Sequence, residues 1–508
     1  MKLIIEPSAS LLLAKISNLL IEQGIKSYLV GGFVRDGLLG RNTADIDIVV
    51  AGDALEIAPE VAAAVDGKYV LLDKINRIGR VVLVNEGTAL GRSRWNIDFS
   101  TLRGSIEQDL AQRDFTVDAM AIDLGQIIYQ PRSPFESGKE QIGVQLIDYF
   151  GGQEDLHRGV IRVVSETAFA SDAVRLLRAV RLAAELDFSI DKQTEALIQR
   201  HGHLLGSVAG ERVREELLRL VATSRAGQLW QYLDELGLGT VIIPELGQLK
   251  GVQQPKEHFW DVFNHSLQTV VAVDFLLRRG DWEYAHKEVL AAVPWSMVLA
   301  QHFGVEVSYG STRGSLLKLA ALLHDIAKPQ TKTIDESGRV RFLGHADEGA
   351  AIVVNIMERL RFSAKEIKLV EIMVRHHLRP GQMSNTGFPS RRAIYRYFRD
   401  SGEVGIDILF LSLADHLAAR GPSLNPEAWR EHTQVVEYVL AQRFQEETLI
   451  NFPKLIDGQD LINDLGMSPG PQIGEFLELV REAQAIGELT TKSEALAYIR
   501  TRVVTEVT

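Results

Sequence analysis

Apolar residues in the first 150 positions fall in short runs: Lys26–Val30, Asp45–Val50, Tyr69–Leu72, Arg80–Val84, Asn96–Phe99 and Met120–Asp123. Runs this short, rich in Val, Ile and aromatics and bounded by turn residues, predict strands. From about Ser171 the period lengthens to that of amphipathic helix. The clearest case is Asp172–Glu185, where Val174, Leu177, Ala179, Val180, Leu182 and Ala183 supply the apolar face. Gly206-Ser-Val-Ala-Gly, Gly237-Leu-Gly, Gly251-Val-Gln-Gln-Pro and Asn451-Phe-Pro interrupt the helical pattern. A short tail with a Pro469-Gly-Pro turn follows. The expectation is an α+β chain: a mixed head followed by helical domains, without internal repeats.

One strand carries chemistry. Asp45 and Asp47 are two residues apart in Asp45-Ile-Asp47-Ile-Val-Val, so both carboxylates point to one face. Two such carboxylates repel unless a cation lies between them, and a hard divalent ion prefers carboxylate together with phosphate oxygen. Upstream, Gly31-Gly32 follows an apolar strand and precedes a helical stretch. Such a turn lets backbone N–H groups approach a phosphate. Either feature alone is weak; an isolated Asp-x-Asp is most often a solvated turn. Together, at strand–turn–helix–strand spacing, they describe a metal-assisted nucleotidyl transfer site.

The segment Gly31-Gly-Phe-Val-Arg35-Asp with Asp45-Ile-Asp47 resembles the N-terminal motif of class II tRNA nucleotidyltransferases and bacterial poly(A) polymerases. Asp109-Leu-Ala-Gln-Arg113-Asp114-Phe-Thr-Val-Asp118-Ala resembles that family's Arg-Arg-Asp-Phe-Thr-x-Asn-Ala, with Gln112 for the first arginine and Asp118 for the asparagine. Ser171-Asp172-Ala-Val-Arg175-Leu-Leu-Arg178-Ala-Val-Arg181 is similar to its Glu-Asp-x-x-Arg segment, with Ser171 for the glutamate. The Gly210-Glu-Arg helix and the tail motifs Leu455–Ile462 and Gly466–Gly474 also resemble the family, so the likeness spans head, neck and tail.

The resemblance implies a polymerase-beta-like nucleotidyltransferase head, with Asp45 and Asp47 binding two magnesium ions. It also implies that Gly31, Gly32 and Arg35 hold phosphates and that Arg113 and Asp114 meet phosphate or ribose. Asp172 and Arg175, read as helical neighbours, would select the base, and Arg178 and Arg181 would extend the contact. The logic of that pair is chemical. A carboxylate accepts from an exocyclic amine and a guanidinium donates to a ring acceptor. Cytosine and adenine offer that combination; guanine and uracil offer a carbonyl beside N–H and are rejected.

A second constellation lies further on: His265, His324-Asp325, His345, His376-His377 and Asp415. Leu322-Leu-His324-Asp325-Ile-Ala-Lys328 resembles the central motif of HD-domain phosphohydrolases. Histidine and aspartate from several helices suit manganese, nickel or cobalt. The expected metal ligands are His265, His324, Asp325 and Asp415, with His345 and His376 for a second ion.

Composition adds bounds. The 508 residues suffice for several domains, and the absence of cysteine excludes disulfides and thiolate zinc sites. A net charge of −12 argues against nonspecific coating of nucleic acid but leaves room for a local RNA-binding patch. With neither a signal-peptide pattern nor a membrane-length apolar run, the chain reads as cytoplasmic, a monomer or homodimer. The expected domains are a head over 1–150, a base-selecting neck over 151–250, an HD domain over 251–447 and a tRNA-binding tail over 448–508. The expected activity is addition of CCA, or part of it, to tRNA 3′ ends from CTP and ATP. The alternatives are an enzyme adding only CC or only A, a poly(A) polymerase, or a metal phosphohydrolase with a nucleotide-binding head.

Overall fold

The computed structural model describes residues 1–85, 93–127, 138–285, 287–383, 387–446 and 454–506. The expected break at Asn451-Phe-Pro and the boundary at 447/448 lie outside them. The chain divides into two compact units, Met1–Val208 and Ala209–Thr508.

The first unit is built on a seven-stranded mixed sheet. Its spatial order is Lys68–Asp73, Ile78–Asn85, Ser93–Thr101, Asp45–Val50, Ser27–Val30, Ala121–Asp123 and Leu146–Ile147. All six predicted strands are present: three are longer than predicted, Asp45–Val50 is as predicted, and Ser27–Val30 and Ala121–Asp123 each start one residue later. Asp45–Val50 lies parallel to Ser93–Thr101 and antiparallel to Ser27–Val30, which places Asp47 opposite Asp98 on one side and Val30 on the other. Ile46, Ile48, Val49 and Val50 are buried, so the core fixes the register that presents Asp45 and Asp47 on the same face. The pairing of Lys2–Ile5 with Glu140–Gly143 was not among the predicted strands.

The predicted Asp172–Glu185 helix starts late. A short helix, Ala168–Ser171, ends first; Asp172 is extended, and the main helix runs Arg175–Leu186. Ser171 Oγ donates back to the Ala168 carbonyl at 2.8 Å, and the Asp172 carboxylate accepts from Val174 N at 3.4 Å. Local side-chain bonds thus compete with helix continuation, as is usual for serine and aspartate. Asp172 and Arg175 are therefore not the i, i+3 helical pair that the sequence suggested.

Among the described residues the second unit is helical apart from two short hairpins. Its central helix, Val262–Leu276, is buried on nearly every face and packs against Arg313–Leu323 and Gly405–Arg420. Ala226–Glu235 packs on it as well, while His345–Arg359 pairs with Ala364–His376, which packs against Arg313–Leu323 and Gly405–Arg420. Gly210 opens the Gly210–Ala222 helix, where a Cβ would lie 2.4 Å from the Arg359 carbonyl oxygen; no other residue fits that approach. The tail has its own apolar core, including Leu461, Phe476, Val480 and Ile499. Its Pro471–Ala485 helix meets Arg391–Ser401 through ion pairs of Glu482 with Arg392 and Arg396.

A buried charge pair anchors the helical unit. Lys318, fully buried, donates to the Val221 carbonyl at 2.9 Å and the Thr223 carbonyl at 2.6 Å, and pairs with Asp274. Asp274 also accepts from Ala226 N at 3.0 Å. Burial pushes Lys318 down and Asp274 up, each opposed by the other's charge. Lys318→Met strands a buried carboxylate and two carbonyls and is expected to cost about 3–5 kcal/mol. Denaturant unfolding checks this, and adding Asp274→Asn should recover part of the loss.

Candidate active site and metal centre

The head site forms where Asp45–Val50 meets the Gly31-Gly32 turn that follows its neighbour Ser27–Val30. Gly31 has a φ of +69°, a conformation that L side chains rarely adopt. A Cβ there would stand 2.8 Å from Asp47 Oδ2 and 3.1 Å from an Arg113 guanidinium nitrogen. The glycine thus leaves a cradle with one carboxylate and one cation at its wall. Gly32 begins the helix Gly32–Leu39. Asp45 is exposed and held by Asn96, whose Nδ2 donates to its Oδ1 at 2.9 Å.

Burial pushes the Asp47 carboxyl up to about 6; Arg113 opposes this, and Asp98, Asp118 and Asp45 reinforce it. A divalent cation would relieve that cost. Among the described residues no further His, Asp or Glu closes a ligand group around Asp45 and Asp47. Such a half-set, with phosphate oxygens and water to complete it, fits magnesium. Asp98, which the sequence reading missed, faces the same site from the neighbouring strand. Its charge is taken up by Arg80, which donates to it through two nitrogens at 2.6 and 2.8 Å.

Of the expected nucleotide-binding residues, Arg113 lies at the wall of this cradle and Arg35 lies against Gly32. Arg35 is buried and pairs with Asp36 and Asp118. Asp114, also buried, pairs with Arg178 at 2.8 Å, and Arg178 and the neighbouring Arg175 hold its carboxyl down against the cost of burial. Arg175 donates to the Gln112 carbonyl at 2.8 Å and to Ser171 Oγ at 3.3 Å. Ser171, which stands where the resembled motif has a glutamate, thus accepts one hydrogen bond from this arginine. Arg181 is buried and pairs with Glu185.

The helical unit brings the histidine series together, with one correction. His265, His324 and Asp325 form one group of possible ligands; Asp325, His345 and His377 form a second. The sequence reading named His376, but His377 occupies that place. His377 follows the Ala364–His376 helix, and its Nδ1 donates to the Val374 carbonyl at 2.6 Å, which turns the ring inward. Adjacent helical positions point about 100° apart, so only one of the two histidines reaches the interior. His324 and His345 are oriented likewise, through the Ala321 carbonyl at 2.8 Å and the Phe342 carbonyl at 2.6 Å.

This orientation leaves Nε2 atoms facing each other: His265 and His324 at 3.2 Å, His345 and His377 at 3.3 Å. Asp325 sits between the pairs. Its Oδ2 is 3.2 Å from His324 and 3.5 Å from His265; its Oδ1 is 3.4 Å from His345 and 3.9 Å from His377. Asp415 Oδ1 lies 3.0 Å from His265. Burial lowers His265 and pushes His377 down to about 3, the neutral form that ligates metal. Nε2 atoms facing each other at such distances, with Nδ1–H of His324, His345 and His377 committed to carbonyls, fit one cation on each side of Asp325. Lys328 Nζ, 2.6 Å from Asp325 Oδ2, balances part of the carboxylate charge.

Residues 27–162 match the Poly A polymerase head domain, 187–249 the probable RNA and SrmB-binding site of polymerase A, and 295–420 the HD domain. His265 lies before that last stretch, yet the fold carries it into the cluster. The chain is 32% identical over 478 residues to the A-adding tRNA nucleotidyltransferase of Deinococcus radiodurans, covering 93% of this chain and 94% of that one. It is 32% identical over 483 residues to the CC-adding tRNA nucleotidyltransferase of Thermus thermophilus, covering 93% of each. The fold is shared with a CCA-adding enzyme in its apo form I (TM-score 0.60, 23% identity, 97% of this chain and 94% of that one). It is shared too with the Thermotoga maritima CCA-adding enzyme complexed with tRNA (TM-score 0.55, 24% identity, 99% and 100%). Among the described residues no helix is long and apolar enough to cross a membrane.

Proposed function

The chain belongs to the tRNA nucleotidyltransferase family that carries an HD domain, and from that premise we propose that it adds CCA, or part of it, to tRNA 3′ ends from CTP and ATP. The observation that carries this reading is the convergence of Asp47, Arg113 and the open side of Gly31 on one point. There a triphosphate meets backbone N–H groups, a guanidinium and a carboxylate-bound cation together. Asp45 and Asp47 are the residues that would hold magnesium, which when bound would supply Lewis-acid stabilisation of the leaving pyrophosphate and acidify the attacking 3′-hydroxyl. The chain's own part is positioning: the turn and Arg113 orient the triphosphate, and the Asp114–Arg178 pair ties the motif to the Arg175–Leu186 helix.

Arg175 and Asp172 read the base in this account. Arg175 is fixed by the Gln112 carbonyl and Ser171, and Asp172 stands at the head of the same helix. Asp172→Ala is expected to slow CTP and ATP addition and relax rejection of GTP and UTP, each lost contact weighing about 1–3 kcal/mol. Misincorporation measured with all four triphosphates checks it; unchanged selectivity would leave Asp172 with its local bond to Val174 N alone. The alternatives of CC-only or A-only addition draw support from the two 32% identical relatives, one of each kind. For the helical unit, we propose a transition-metal site on His265, His324, Asp325, Asp415, His345 and His377, able to hydrolyse a terminal or cyclic phosphate on RNA.

A further inference from the structure

The Arg35 guanidinium is committed on two sides. Its Nε and one terminal nitrogen donate to the Asp36 carboxylate at 2.9 and 3.1 Å, and its other terminal nitrogen donates to Asp118 at 2.7 Å. Arg35 is only 8% exposed, and one of its nitrogens would lie 3.4 Å from a Cβ on Gly32. It therefore stands behind the Gly31-Gly32 turn, with two carboxylates set against one positive charge. Burial pushes the Asp118 carboxyl up and Asp114 adds to this, while the Arg35, Arg113 and Arg178 guanidinium groups favour its charged form; that charge in turn raises Asp47. An asparagine, the residue of the motif that this segment resembles, would accept the same bond from Arg35 without adding a charge. This chain places an extra negative charge beside the cradle that receives a polyanion.

We propose that Asp118 is a positioning residue that sets nucleotide affinity: it fixes Arg35 against the Gly31-Gly32 turn, and its charge weakens binding according to the number of phosphates on the ligand. The inference rests on the reading of that turn as the phosphate cradle. Its consequence is a lowered affinity for triphosphate substrate and pyrophosphate product alike, which favours release after each addition.

The test uses the full chain and its isosteric variant Asp118→Asn, with binding measured by calorimetry in magnesium. The ligands are the non-hydrolysable α,β-methylene analogue of CTP, and CMP. Removing one like charge near the phosphates is expected to tighten the analogue about five- to tenfold, with CMP changed less than about twofold. The KM for CTP should fall in parallel while kcat stays within about threefold, because the Arg35 hydrogen bond survives. Asp118→Ala, which frees Arg35, should instead lower kcat. Unchanged or weaker analogue binding in Asp118→Asn, or an equal shift for CMP, overturns the proposal. A wild-type protein that binds CMP as tightly as the triphosphate analogue would instead overturn the cradle reading on which it rests.

Discussion

Asp47→Asn and Asp45→Asn are each expected to abolish nucleotide addition while leaving the fold and tRNA binding nearly intact. The amide keeps the shape of the carboxylate but not its charge, so the strand and its register persist. On the proposed function, what is lost is the ligand for magnesium, and with it both charge stabilisation and the activated nucleophile. A loss of at least about 10³ in rate, roughly 4 kcal/mol, is the expected scale. Single-turnover extension of labelled tRNA measures it, and near-normal turnover in either variant removes the two-carboxylate assignment. The Asp47 carboxyl, raised to about 6 by burial, must lose its proton to bind metal. The magnesium concentration needed for half-maximal rate should therefore rise as pH falls below about 6.

Asp325→Ala is expected to strip transition metal from the helical unit and to eliminate phosphoester hydrolysis, while nucleotide addition continues. One oxygen of Asp325 serves His265 and His324 and the other serves His345 and His377, so this single side chain supports both groups. Metal analysis of the purified wild type and variant is the first measurement. Assays on a 2′,3′-cyclic nucleotide and on 3′-phosphorylated RNA are the second. Equal metal content in both proteins defeats the metal assignment; metal without hydrolysis leaves a structural site. His377→Ala should lower metal content, whereas His376→Ala should leave it unchanged.

The residues that were legible in the sequence are those whose neighbours are local. Asp45 and Asp47 share a face because a strand repeats every two residues and the flanking isoleucines and valines must be buried. Gly31 was legible because the turn needs a positive φ. His377 was not separable from His376, since helical spacing alone does not say which member of a doublet turns inward at a helix end. Asp172 was misplaced because Ser171 and Asp172 carry side chains that bond the backbone and interrupt the helix their neighbours favour. Asp98 was missed for a different reason. Its place beside Asp47 is set by a parallel pairing of strands some fifty residues apart, which periodicity does not reveal.

The measurement that bears most directly on the account offers end-labelled tRNA lacking its terminal CCA, then the same tRNA ending in CC, to the purified protein with CTP alone, ATP alone and both. The account predicts extension that uses only CTP and ATP, stops by the completed CCA end, and disappears in Asp47→Asn. Extension confined to the first tRNA with CTP, or to the second with ATP, assigns the partial activity of one or the other relative. Failure to extend either tRNA, or an open-ended run of adenylates, contradicts it.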